Sequence, residues 1–156
     1  MLLLFGFLLM VVIFAFTGIL SGAMAMFIDL PSFLLIVIPL LFFLGLSKGG
    51  GVIGRYFTAS FKKEFTYTLT ELESLSRAVK NTIKFILATG GFGFMAGLIA
   101  TFSYIGAPEM LGPNFAICLL TLTYSIAFSF FVFFPLQAWA ENRIGALQYE
   151  LIPRHE

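Results

Sequence analysis

The sequence predicts an all-α membrane protein with four transmembrane helices, the helix after the second span continuing into the third. Three observations predict it. Hydrophobic residues make up 60% of the chain, 21 Phe among them, and charged residues only 11%. Apolar runs stand at approximately residues 2–26, 27–47, 85–105 and 114–140. Each is long enough to cross about 30 Å of hydrocarbon as a helix. All nine Lys and Arg lie between Lys48 and Lys84 or in the tail at Arg143 and Arg154, whereas the turns around Asp29 and Glu109 carry none. By the positive-inside rule both termini and the 48–84 segment are then cytoplasmic.

The first run, with the second, forms a hairpin over residues 1–47, turning at Asp29-Leu30-Pro31-Ser32. Asp29 and Ser32 are suited to cap the second helix, and Pro31 to its first turn. Ala23-Met24-Ala25 also fits the small-residue cleavage site of a secretory signal, but the run has no basic start and is longer than a signal core. Pro39 is expected to kink the second span.

Residues 48–84 form a short cytoplasmic segment, too small for a separate domain. Ser47-Lys48-Gly49-Gly50-Gly51 reads as a turn. Beyond it Phe61, Phe65, Leu69, Leu72, Leu75, Val79 and Ile83 recur at intervals of three and four, which predicts one amphipathic helix. Lys62, Lys63, Glu64, Glu71, Glu73, Arg77 and Lys80 form its polar face. It packs at the membrane surface or docks a partner. Without Pro or Gly before Gly90, it runs into the third span.

Residues 85–140 form the second hairpin and 141–156 a cytoplasmic tail. Gly90, Gly93 and Gly97, with Ala96 and Ala100, mark the third span as a crowded helix, because small residues let backbones approach closely in lipid. A buried interface within one chain explains these glycines as well as a contact between copies does. On the fourth span Cys118, Thr121, Ser125 and Ser129 form one weakly polar stripe, facing a pore or another helix. Hydroxyls bonded to their own helix carbonyls are the simpler account of such a stripe. Trp139 fits an aromatic belt at the span's end.

The chemistry-bearing residues are few. Cys118 is the single cysteine, so there is no disulfide framework and no Cys/His metal spacing. His155 is the single histidine and lies in the terminal tail. Neither hairpin run from 85 to 140 carries a carboxylate, Lys, Arg or His within its apolar stretch, so this chain alone offers no titratable relay across the membrane. No acid–base or nucleophile constellation points to an enzyme. No cofactor or metal is expected, and a net charge of +1 does not point to nucleic acid.

The stretch from Gly90 to Pro135 carries the most specific signal: two apolar runs joined by GAPEMLGP. Counting back from Tyr124 without a gap, Gly112-Pro113 and Ala116 fall on the MotA pattern. Counting forward eleven residues lands on Pro135 after two aromatics. On these residues the chain resembles the ion-channel subunits MotA, TolQ and ExbB. FIDLPSFLLIV, residues 27–37, is similar to that family's outer turn entering its second helix.

The resemblance implies a homo-oligomeric ring, a pentamer, in the bacterial inner membrane. The ring surrounds a single-span partner of the MotB/TolR/ExbD kind, whose Asp takes up and releases a proton, and couples that flow to the partner's motion. It makes Gly90, Gly93, Phe94, Gly97, Thr101, Cys118, Thr121, Leu122, Ser125 and Ser129 the pore-lining or ring-packing candidates. Asp29, Pro31, Pro108, Gly112, Pro113 and Pro135 shape turns and kinks. The chain departs from the family at two places where threonines are expected, which hold Phe94 and Leu122. Fewer oxygen ligands for a desolvated cation argue against sodium, and Thr101, Thr121 and Ser125 compensate only in part. A scaffold ring that conducts nothing is the alternative. The cytoplasmic region is also far smaller than in flagellar members, which turns the expectation from a torque generator to a compact relative of TolQ and ExbB.

Overall fold

The computed structural model describes residues 2–22, 29–59 and 67–151. The expected features at Ala23-Met24-Ala25, Phe27-Ile28, residues 60–66 and the last five residues, with His155, lie outside these. Six α-helices follow one another among the described residues: α1 Leu2–Leu20, α2 Leu30–Leu46, α3 Lys48–Ala59, α4 Leu69–Phe102, α5 Pro108–Ala127 and α6 Phe134–Leu151. A π-helical segment, Phe128–Phe133, joins α5 to α6 without a break.

The protein is membrane-embedded. Leu69–Phe102, 34 residues, and Pro108–Glu150, 43 residues, are long and apolar enough to span a bilayer. The bent pair α2 and α3 makes a third if counted as one span. Only α1, an apolar helix of 19 residues, remains of the expected four. Large apolar side chains such as Phe5, Phe16, Phe42, Phe92, Ile99 and Phe130 stand on the outer surface of the bundle. Apolar area exposed on this scale suits contact with lipid and not with water.

Local sequence accounts for several helix ends. The Asp29 carboxylate accepts from the Ser32 N–H at 2.9 Å, as a cap should, with Pro31 in the first turn of α2. Pro39 lies inside α2, and the large bend comes elsewhere: α2 and α3 meet at Ser47 at 100°. The turn expected over Ser47-Lys48-Gly49-Gly50-Gly51 is thereby corrected. The turn is confined to Ser47, whose Oγ accepts from the Gly50 N–H at 3.1 Å, and the glycines are helical. They serve close approach. A Cβ on Gly50 would collide with the Leu44 carbonyl, and one on Gly49 would lie 2.9 Å from the Ala78 Cβ.

The amphipathic helix begins later than its periodicity suggests. Thr68 and Glu71 form a reciprocal capping box, so α4 starts at Leu69 and not near Phe61. From there it continues unbroken to Phe102, through the apolar stretch where the sequence places a third span. Leu72, Leu75 and Val79 are buried, and Glu71, Glu73, Arg77 and Lys80 are exposed. The connector between α4 and α5 is also shorter than GAPEMLGP. Pro108 occupies the first turn of α5, and Gly112-Pro113 is helical and not a turn. Pro135 does mark an irregularity, because the π-helical segment ends just before it.

The core lies where α4 meets α5 and α6, with Ile36 and Leu40 of α2, Val79 and Ile86 of α4, and Leu136 and Ala140 of α6 at its centre. Met10 of α1 joins its edge.

Candidate functional site

The glycine face of α4 and the polar stripe of α5 meet each other inside one chain. A Cβ on Gly97 would lie 2.6 Å from the Cys118 Sγ, and one on Gly93 2.7 Å from the Thr121 Cγ2 and 2.6 Å from the Leu35 Cδ2. At Gly90 the added carbon would collide with the Ser125 side chain. The three glycines therefore let α5 approach α4 until side chain touches backbone, and dispersion between closely packed atoms holds the pair in lipid.

Cys118, Thr121, Ser125 and Ser129 are all buried in this seam. Their polar hydrogens are committed to their own helix. Ser125 Oγ donates to the Leu122 carbonyl at 2.8 Å, Ser129 Oγ to Ser125 at 2.8 Å, and Thr121 Oγ1 to Ile117 at 3.4 Å. The Cys118 thiol donates to Asn114 at 3.1 Å, and Thr101 Oγ1 to Gly97 at 2.8 Å while standing 3.5 Å from the Cys118 Sγ. Among the described residues no buried side-chain oxygen or nitrogen lacks a partner. In the single chain the stripe is thus an interhelical surface with satisfied hydroxyls. Phe94 and Leu122 are each half-buried at its margin.

The two stretches singled out in the sequence are joined by Tyr124. Its ring is buried, stacked on Phe14 at 5.8 Å and edge-on to Phe33 at 5.9 Å. Its hydroxyl accepts from the Asp29 N–H at 3.3 Å, and Ser32 Oγ donates to the Ile117 carbonyl at 3.5 Å. Glu109 lies in the exposed first turn of α5.

At the opposite end, α4 and α6 are tied by Glu141. Lys80 Nζ stands 2.7 Å from its Oε1, which also accepts from Gln137 at 3.2 Å and Ser76 at 3.4 Å. The Lys80 donor, with these two, holds the Glu141 carboxyl below the ordinary carboxylate range. Nearby, Trp139 is half-buried against Tyr56 at 4.9 Å and Tyr67 at 5.7 Å. A pocket of about 210 Å³ between α3 and the start of α4 is lined by Arg55, Tyr56, Tyr67 and Glu71, among others.

Sequence reasoning missed α3 and this aromatic cluster. Val52, Ile53 and Tyr56 do recur at helical spacing, but three consecutive glycines hid the signal. Nothing in the sequence pairs Glu141 with Lys80, since their contact depends on how α6 crosses α4.

No protein-family model matches the chain, and no solved structure matches it. Among curated proteins it is similar to the uncharacterized protein YtxD of Bacillus subtilis (strain 168), with 36% identity over 67 residues. The similarity covers 43% of this chain and 25% of YtxD, so the chain matches about a quarter of that relative's length.

Proposed function

We propose that the chain is a ring-forming, pentameric subunit of an ion-driven motor of the MotA/TolQ/ExbB kind. It sits in the bacterial inner membrane with both termini cytoplasmic, α1 serving as a fourth span. Its ring encloses a single-span partner and couples proton flow to motion of that partner, which supplies the ion-binding Asp.

One observation carries the reading. The residues behind the resemblance, around Asp29 in the first hairpin and Tyr124 in the second, are in direct contact through the Asp29 N–H and the Tyr124 hydroxyl. A motif scattered over distant parts of the chain thus has a shared structural purpose: it fixes one hairpin against the other. The continuous α4, which carries a charged cytoplasmic half into an apolar one, fits a subunit that couples the two sides. The absence of a carboxylate, Lys, Arg or His from the seam among the described residues fits a division of labour in which the partner brings the titratable group.

A second reading, a ring of the same architecture that holds its partner without conducting, is favoured by Phe94 and Leu122 and by the committed hydroxyls of the stripe. The deciding experiment is proton flux into liposomes that contain the chain co-purified with a single-span partner encoded beside it. Flux above that of empty vesicles supports the motor. Flux equal to empty vesicles, with an uncoupler still collapsing the gradient, supports the scaffold. A purified chain that is monomeric and retains no partner overturns both.

A further inference from the structure

The long helix from Pro108 to Leu151 is interrupted in its winding at one place, and α1 touches it there. In an α-helix the Phe131 carbonyl would accept from residue 135, but Pro135 has no N–H and its ring would press on that carbonyl. The π-helical winding of Phe128–Phe133 resolves the conflict: the Phe134 N–H bonds back to Ser129, five residues away, and the turn before the proline is widened. Such widened turns are where helices bend. The Phe131 carbonyl oxygen faces Gly6 of α1, which is buried; a Cβ at Gly6 would collide with it and stand 3.0 Å from its carbon.

We propose that the π-helical segment is a hinge between α5 and α6, and that α1 clamps it by seating Gly6 on the Phe131 carbonyl. The clamp has few other points. Phe7 meets Phe128 at 6.4 Å, Phe14 stacks on Tyr124 at 5.8 Å, and Met10 is buried, whereas Leu8, Val12, Phe16, Ile19 and Leu20 are exposed. α5 is packed on α4 through the glycine seam and tied to α2 through Tyr124 and Ser32, and α6 is tied to α4 further along through Glu141 and Lys80. The π segment is the stretch between these two fixed ends, so the angle across it sets how the outer half of the helix is carried relative to the inner half. This inference rests on packing within the chain and stands apart from the ring reading.

The test is a spin-label distance across the hinge in the full chain in lipid nanodiscs. Labels go on Thr123 and Asn142, both exposed. The wild type is expected to give one narrow distribution. Gly6→Ala drives α1 off the carbonyl and is expected to broaden or shift it. Gly91→Ala, where a Cβ meets nothing within 4 Å, is expected to leave it unchanged. Met10→Ala loosens the same seat without a collision and is expected to broaden the distribution to a smaller degree, so it carries the test if Gly6→Ala fails to fold. A distribution as narrow and as centred as the wild type in Gly6→Ala, or in Met10→Ala where Gly6→Ala fails to fold, overturns the clamp. Equal broadening in Gly91→Ala overturns it as well.

Discussion

Gly90→Ala places one carbon where α4 and α5 touch, and the structure sets its cost. The new Cβ falls on the Ser125 side chain, which is 0% exposed and whose Oγ is already bonded to the Leu122 carbonyl at 2.8 Å. The collision includes the Ser125 Cβ, which no side-chain rotation can move, so the helices must separate. Overpacking of this kind costs about 1–3 kcal/mol, against a gain of up to about 1 kcal/mol from replacing a helical Gly by Ala. The expected net loss is up to about 2 kcal/mol. The adjacent Gly91→Ala meets open space and keeps only the gain, so the two neighbouring substitutions have opposite signs. Reversible unfolding in mixed micelles, followed by helix content, measures both. Ser125→Gly removes both colliding atoms, and in the double variant with Gly90→Ala it is expected to recover at least about 0.5 kcal/mol relative to the sum of the single changes. Equal midpoints for Gly90→Ala and Gly91→Ala, or strict additivity in the double variant, would refute the packing argument.

Other consequences are as specific. Tyr124→Phe leaves the Asp29 N–H without its acceptor and is expected to lower stability by about 1–2 kcal/mol in the same unfolding assay, with Phe33→Leu as a packing control. The N-terminal turn of α4 is expected to depend on pH. Its Glu71 carboxyl is held below the ordinary 4.5 by the Thr68 N–H and hydroxyl, so the contribution is complete above 4.5 and lost as pH falls through the lower folded value. Hydrogen exchange at residues 69–72 reads this directly, and Glu71→Gln should remove most of the dependence. On the proposed motor reading, Phe94→Thr is expected to raise proton flux in liposomes carrying the chain with a co-purified single-span partner; an unchanged rate would place Phe94 away from any conducting path.

Much of the fold was legible because lipid simplifies the problem. A stretch such as Leu69–Phe102 is continuous in sequence as in space, and its buried residues Leu72, Leu75 and Val79 follow the helical period. Caps at Asp29 and Thr68 are local chemistry, readable three residues at a time in the first case and overlooked in the second, where an apolar period extending back to Phe61 outweighed the Thr68-Glu71 pair. The glycine and hydroxyl stripes were visible too. What they face was not, since a small face serves a neighbour in the same chain or in another equally well.

Solvent preference and helical period are properties of single segments, so the residues alone specify an apolar, helical, membrane-embedded chain whose nine Lys and Arg lie in residues 48–84 and the tail. That Gly90, Gly93 and Gly97 receive Ser125, Thr121 and Cys118 of the same chain, and that Tyr124 holds the Asp29 turn, emerges only once the helices are packed together. The same holds for Gly6 on the Phe131 carbonyl. Each of these is a contact between residues at least 20 positions apart, fixed by how helices cross. The backbone distance that a missing Cβ permits has no signature until both partners are in place.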